Sequence, residues 1–243
     1  MNELEKEGFL KVADLSSQLN VSEVTIRKDL KELEGKKLLF RNHGSVSLFS
    51  SLTGDRHIDE KEKVQVEEKL RIADAAKTLL KPNDRIIIAS GTTVLAFANR
   101  ITTTEPLTVI TPSVKISLSL CYRQNIEVIQ LGGSMRRSSA SVIGPDAETF
   151  LFDLACNKLF LGIDGLDLDF GLTTSNIGEA HLNRVMMKAA QKVIVLADSS
   201  KFGKRGFGKI CDLENVHRII TDNNAPVSYV QALREKGIEV TLV

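Results

Sequence analysis

Between Val12 and Leu33 the apolar positions recur at helical spacing. Val12, Leu15 and Leu19 lie three to four residues apart, as on one face of an amphipathic helix. Asn20-Val21 interrupts the run. Ser22 then offers a hydroxyl to the free backbone amides of a second helix, whose apolar stripe is Ile26, Leu30 and Leu33. Two helices joined by so short a turn predict a helix-turn-helix unit. Around Gly44, the runs Leu38–Arg41 and Ser45-Val46 are short and β-prone, the pattern of a small hairpin or wing. Residues 50–63 are polar and charged with no apolar period and read as a linker. Helical spacing returns over Glu67–Leu80 (Leu70, Ala73, Ala76, Leu80) and stops before Lys81-Pro82.

From residue 84 onward the pattern changes. Apolar runs of strand length occupy Arg85–Ala89, Leu107–Thr111, Glu127–Leu131, Lys158–Ile163, Lys192–Ala197, Arg218–Thr221 and Ile238–Val243. Helix-sized segments separate several of them: Val94–Arg100, Val114–Tyr122, Ile177–Ala190 and Pro226–Lys236. Strands that are apolar at successive positions and alternate with helices predict a parallel sheet covered on both faces. The expected fold class is therefore α/β. A winged helix-turn-helix spans residues 1–50, a linker 51–66, and a Rossmann-like, mostly parallel α/β domain 67–243.

Composition narrows this without redirecting it. At 243 residues and 42% hydrophobic, the chain can bury a sizeable core. Its net charge of +1 advertises no global nucleic-acid field, so charge has to be read locally. Cys121, Cys156 and Cys211 are isolated, which argues against a zinc site and predicts reduced, buried thiols in a cytoplasmic protein. No run reaches the roughly 18 apolar residues of a membrane span.

The local charge falls on the second helix. Residues 27–41 hold six Lys or Arg against three acids, whereas residues 1–26 hold two against five. Val24, Arg27, Lys28 and Lys31 share one face, opposite the apolar stripe. Long cations reach phosphates and guanine edges, and a small apolar group meets a thymine methyl. A charged helix face is ordinarily just solvated; the helix-turn-helix and hairpin context sets this one apart. The expected DNA-binding residues are Ser22, Val24, Thr25, Arg27, Lys28 and Lys31, with Arg41 and His43 in the wing.

The run Val21-Ser22-Glu23-Val24-Thr25-Ile26-Arg27-Lys28-Asp29-Leu30, followed by Leu33-Glu34 and Leu38–Gly44, resembles the DeoR family of bacterial sugar-catabolism repressors. The likeness continues through essentially the whole chain. The family's first helix normally starts several residues before the position of Met1, so Asn2–Gly8 reads as the shortened end of that helix.

A second constellation lies at the strand ends. Ser90-Gly91-Thr92-Thr93 follows a strand and opens a helix, where backbone amides, hydroxyls and the helix dipole make an anion cradle. Leu131-Gly132-Gly133 with Arg136, Gly162-Ile163-Asp164-Gly165 and Ala197-Asp198-Ser199-Ser200-Lys201 follow later strands. Loops at the carboxyl ends of parallel strands line the ligand crevice. Asp164 is suited to accept from sugar hydroxyls, and Arg136 and Lys201 to neutralise phosphate. The resemblance implies a sensor domain similar in fold to ribose-5-phosphate isomerase and glucosamine-6-phosphate deaminase. It implies a phosphate loop at Ser90–Thr93, a sugar site including Gly162–Gly165 and Lys201, and a pocket-lining loop with Arg136, Ser141 and Gly144. Gly171–Thr174 with Glu179 matches the family pattern; Thr111-Pro112-Ser113 departs from it, since the middle position is usually asparagine. The expected effector-binding residues are Ser90, Gly91, Thr92, Thr93, Gly132, Gly133, Arg136, Ser141, Asp164, Gly165 and Lys201.

Turnover finds less support. An aldose-phosphate isomerase needs a positioned base, and the isomerase carries a glutamate fifteen residues before the aspartate of its Ala-Asp-x-Ser-Lys segment. Here that position is Asn183 (198 − 15), which has no basic carboxylate. Glu179 lies about one helical turn off that spacing. The four histidines, His43, His57, His181 and His217, show no paired acid at recognisable spacing. The expectation is a DNA-binding repressor of a sugar or polyol operon, released from operator DNA by a phosphorylated sugar or polyol. It acts as a homo-oligomer (dimer or tetramer), with no catalytic residues, cofactor, metal or membrane partner. The alternative is an isomerase- or deaminase-like enzyme fused to a DNA-binding domain.

Overall fold

The computed structural model describes residues 9–35, 39–42, 45–48 and 57–243. In the N-terminal part, α1 (Val12–Leu19) and α2 (Glu23–Gly35) are separated by Asn20, which takes a left-handed φ of 52°. Asparagine tolerates that conformation because its short amide bonds locally. Ser22 caps α2 as expected: the Thr25 amide donates to Ser22 Oγ at 3.2 Å. Val12, Ile26, Leu30 and Val46 form the small core, with Leu10, Leu15 and Leu33 packed beside it. The hairpin pairs β2 (Leu39–Asn42) with β3 (Ser45–Leu48), and β3 also pairs with β1 (Phe9–Lys11), all antiparallel. Strand β1 was not foreseen, because three residues are too few to show a period. The segment Asn2–Gly8 lies outside the described residues.

The larger part is organised by a seven-stranded parallel sheet. Its strands are β4 (Arg85–Ile88), β5 (Leu107–Thr111), β6 (Ile126–Gln130), β9 (Cys156–Gly162), β12 (Ala190–Leu196), β14 (Arg218–Thr221) and β15 (Glu239–Leu242). Each of the seven apolar runs became one of these strands. Alternate residues point to opposite faces, and both faces are covered. Ile86, Ile88, Phe160, Ile194 and Leu196 join α4 (Val66–Lys77), α5 (Thr92–Arg100) and α6 (Val114–Leu120) in one apolar cluster. Ile87, Leu159, Leu161, Val193 and Val195 join α7 (Pro145–Phe152), α8 (Ile177–Lys188) and α9 (Val227–Glu235) in the other. This two-sided burial is why the strands read as continuous apolar runs instead of alternating ones.

The strand order is β15-β14-β12-β9-β4-β5-β6. The chain steps outward from β4 through β6, then returns to the other side of β4 and runs outward again from β9. At such a reversal the two connections leave the sheet on opposite faces and open a crevice beyond the strand ends. The turns after β4 and β9 therefore meet there. They carry Ser90–Thr93 and Gly162–Asp164.

The stretch read as linker contains structure. Helix α3 (Ile58–Glu62) is capped by His57, and Ile58 is buried at 2% exposure. Periodicity missed it because five residues with one apolar contact carry no repeat. Two small β units were also unforeseen: the hairpin β7 (Ser134–Arg136) with β8 (Ser141–Ile143), and the antiparallel sheet β10 (Gly165–Asp167), β11 (Gly171–Thr174), β13 (Gly208–Cys211). Of the cysteines, Cys156 is buried as expected; Cys211 is half-buried and Cys121 exposed, correcting the expectation for those two. Burial raises the Cys156 thiol, and burial beside Asp212 pushes Cys211 up to about 12, so neither supplies a thiolate near neutral pH.

Candidate functional site

The crevice at the strand reversal is a cavity with an open mouth. Its floor is the β4–α5 turn. Gly91 caps α5 with φ +135°, a backbone conformation that a side chain disfavours. The first-turn amides of α5 have no intrahelical acceptor and point outward. Thr93 is 5% exposed, and its hydroxyl makes no hydrogen bond among the described residues. Asn183, from α8, is 6% exposed, lines the same cavity and is likewise unpartnered. Both therefore lie where a group entering the cavity can reach them.

The walls carry three cations, Lys61, Arg136 and Lys201, against two carboxylates, Asp164 and Glu179. Arg136 Nη1 pairs with Glu179 Oε1 at 2.7 Å, each side chain 9% exposed. Arg136 also donates to Ser139 Oγ at 3.1 Å, and Glu179 accepts from Thr174 Oγ1 at 3.1 Å. Lys61 Nζ pairs with Asp164 Oδ1 at 2.8 Å. Lys201 forms no ion pair among the described residues. Three against two leaves one positive charge, reinforced by the α5 N-terminus. Burial alone would raise the Asp164 carboxyl. Lys61, Lys201 and the Ser175 amide outweigh it and hold the group below its ordinary range, so Asp164 stays ionised at neutral pH.

Of the residues expected to bind an effector, Ser90, Gly91, Thr92, Thr93, Arg136, Asp164 and Lys201 come together here. The rest do not line the cavity. Gly133 packs against the Ile143 carbonyl, where an added Cβ would sit at 2.7 Å, and with Gly132 it shapes the entry to β7. Gly165 lies in β10, where a Cβ would meet the Lys204 carbonyl at 2.4 Å. Ser141 is buried behind Ser139 and bonds it at 2.8 Å. Asp164, expected to accept from sugar hydroxyls, already accepts from Lys61, Thr174 Oγ1 at 3.1 Å and the Ser175 amide at 2.9 Å. Its main effect here is to hold charge in place. Near the departing Thr111-Pro112-Ser113 segment, the Ser113 hydroxyl caps α6 and the Pro112 carbonyl accepts from Val142. Sequence reasoning missed Ile58, Lys61, Ser138, Ser139 and Thr174 as cavity residues. Only Thr174 had left a signal, in the Gly171–Thr174 pattern.

On α2, Val24 is 78% exposed, and Thr25, Arg27, Lys28 and Lys31 are exposed beside it, while Ile26 and Leu30 are buried. Arg27 leans on Glu23 at 3.1 Å. That exposed pair is worth little and gives way easily to a phosphate. The Ser22 hydroxyl is used as a cap and also contacts Thr25 Oγ1 at 2.9 Å. Arg41 lies on β2; His43 lies outside the described residues. No cluster of three or more His, Cys, Asp or Glu side chains suited to a metal occurs among the described residues. No described helix is long and apolar enough to cross a membrane.

Comparison with known proteins fits both halves. The family description "DeoR-like helix-turn-helix domain" matches residues 1–51, and "DeoR C terminal sensor domain" matches residues 64–223. The chain is 38% identical over 234 residues to the uncharacterised HTH-type transcriptional regulator YulB of Bacillus subtilis strain 168, covering 96% of this chain and 90% of that one. It is 35% identical over 242 residues to a protein of Escherichia coli O157:H7 provisionally named aga operon transcriptional repressor, with 99% and 90% covered. Against the glycerol-3-phosphate regulon repressor of Escherichia coli K12 the identity is 28%, with 98% and 94% covered. Among solved structures, ribose 5-phosphate isomerase A of Neisseria gonorrhoeae gives a TM-score of 0.43 at 18% identity, covering 61% of this chain and 57% of that one. The beta subunit of eIF2B from Chaetomium thermophilum gives 0.46 at 16% identity, covering 63% and 48%. An exposed basic helix in a helix-turn-helix unit, a crevice at the strand reversal, the two family descriptions and the sequence relatives agree: the chain belongs to the DeoR family of transcriptional regulators.

Proposed function

We propose that this protein represses an operon for the uptake or breakdown of a sugar or polyol, and that a phosphorylated sugar or polyol releases it from its operator. The carrying observation is the β4–α5 turn. It presents first-turn helix amides and Thr93 to a cavity in which Lys201, from the turn after β12, adds a cation without an ion pair among the described residues, an arrangement suited to a phosphoryl group. Asn183 and the open mouth leave polar contacts for the rest of the ligand. The names of two relatives, one for the aga operon and one for the glycerol-3-phosphate regulon, point to the same class of signal. DNA is read by α2 through Val24, Thr25, Arg27, Lys28 and Lys31, with Ser22 shaping its start and Arg41 and His43 in the wing. Residues 1–50 form the DNA-reading part, 51–66 the joining segment and 67–243 the sensing and oligomerisation part. The working unit is a dimer or tetramer in the cytoplasm.

Binding without turnover is part of this reading. A general base has to be free to take a proton. Glu179 is held by Arg136 and Thr174, and Asn183 carries no base. The test is a thermal-shift screen against glycerol 3-phosphate, ribose 5-phosphate, glucosamine 6-phosphate, fructose 1-phosphate and their unphosphorylated forms. A ligand at 100 times its Kd adds about 2.7 kcal/mol to apparent stability. No shift with any phosphorylated compound would remove the sensing reading; turnover of ribose 5-phosphate or glucosamine 6-phosphate at enzyme-like rates would favour an enzyme.

A further inference from the structure

Helix α3 lies in the segment that joins the DNA-reading and sensing parts, and it also forms one wall of the cavity. The Ile58 amide donates to the Ser138 carbonyl at 2.7 Å, and its side chain is buried against the cavity. Lys61, one turn later, reaches Asp164. On the outer side Asp59 and Glu62 hold Lys115 at 2.5 and 2.8 Å. The turn after α3 is tied down from α4, where Lys69 Nζ donates to the Lys61 and Val64 carbonyls, each at 2.6 Å. Helix α3 is therefore clamped at both ends, and among the described residues Lys61 is its one charged contact with the cavity.

The three cavity cations are not equivalent. Arg136 is locked to Glu179, and Lys201 belongs to the sheet's own loop. Lys61 has three donors, one used on Asp164, and its side chain is still 25% exposed. We infer that Lys61 is an anion-contacting residue of the cavity contributed by the joining segment, so that a phosphoryl group seated on the β4–α5 turn is felt directly by helix α3. This rests on the phosphate-binding reading above and adds to it the residue through which occupancy leaves the sensor. An incoming anion competes with Asp164 for the Lys61 ammonium. The backbone of α3 follows, because Lys69 ties the Lys61 carbonyl to α4 and Ile58 ties the helix to the Ser138 loop.

The test uses hydrogen exchange on the full chain, with and without 50 mM inorganic phosphate, against chloride of equal ionic strength. Wild type should show exchange slowed at least threefold both in residues 90–95 and in residues 58–64. Lys61→Met should keep the effect at 90–95 and lose it at 58–64. Lys61→Arg should keep both, and Lys63→Met, which removes a neighbouring charge outside the cavity, should behave as wild type. Should phosphate protect 90–95 but leave 58–64 unchanged in wild type, or should Lys61→Met retain the response at 58–64, the assignment of Lys61 is wrong while the cradle stands. An absence of protection at 90–95 removes the cradle and this inference together.

Discussion

Replacing Arg136 by methionine tests how the cavity is built. The Arg136–Glu179 pair is 2.7 Å long with both side chains 9% exposed, so water screens it poorly. At an effective dielectric near 20, two unit charges at that distance attract by about 6 kcal/mol. Burying the two ions costs several kcal/mol each, so the intact pair contributes little net stability. Removing one partner is different, because the desolvation cost of the remaining charge is left uncompensated. Arg136→Met should therefore lower unfolding free energy by about 3–5 kcal/mol, or roughly 6–20 °C in Tm at the 2–4 °C per kcal/mol usual for a chain of this size. Adding Glu179→Gln to Arg136→Met should recover at least half of the loss, since the amide can still bond Thr174 and Ser141 without a stranded charge. Urea unfolding followed by far-UV circular dichroism on wild type, both single variants and the double variant closes the cycle. A loss below about 1 kcal/mol for Arg136→Met, or no recovery in the double variant, would show that the pair is solvated and that the cavity wall is not organised around it.

Three further outcomes follow from the same geometry. Lys28→Ala should weaken operator binding and reduce the slope of log K against log salt by about 1; an unchanged slope in fluorescence anisotropy titrations would take Lys28 off the phosphates. Gly91→Ala forces a side chain to φ +135° and should cost about 1–3 kcal/mol, with weaker binding of inorganic phosphate by calorimetry; a variant matching wild type in both would show that the turn needs no glycine. Burial, with Lys201 nearby, holds the Lys69 amine down at about 8 against 10.5 for an unburied lysine. Between those values the unfolded chain binds more protons, so stability rises with pH across that window, and below it the penalty is constant. From pH 8 to 10.5 wild type should gain up to about 3 kcal/mol relative to Lys69→Met; parallel stability curves for the two proteins would refute the burial of that charge.

Much of this protein was legible before folding was considered. The period of Ile26, Leu30 and Leu33 oriented α2, and so placed Lys28 and Lys31 on the outside, because a helix determines its own two faces. The seven apolar runs marked the seven parallel strands, since a strand covered on both sides has no polar alternation to confuse it. Ser90–Thr93 could be read as an anion cradle because strand, glycine and helix start are contiguous in the chain.

Other features depend on contacts between distant residues and leave no local trace. The Lys61–Asp164 pair spans 103 positions and the Glu179–Arg136 pair 43 (179 − 136). Nothing near Lys61 distinguishes it from Lys63. Gly165 looked like a ligand-loop glycine but is needed where the Lys204 backbone passes close to it, a proximity that only the packed chain creates. Local periodicity and contiguous turns thus determined the elements and the Ser90–Thr93 turn. Tertiary packing alone decided which charges face the cavity and that the joining segment forms one of its walls, because burial and charge pairing depend on three-dimensional distance and not on separation along the chain.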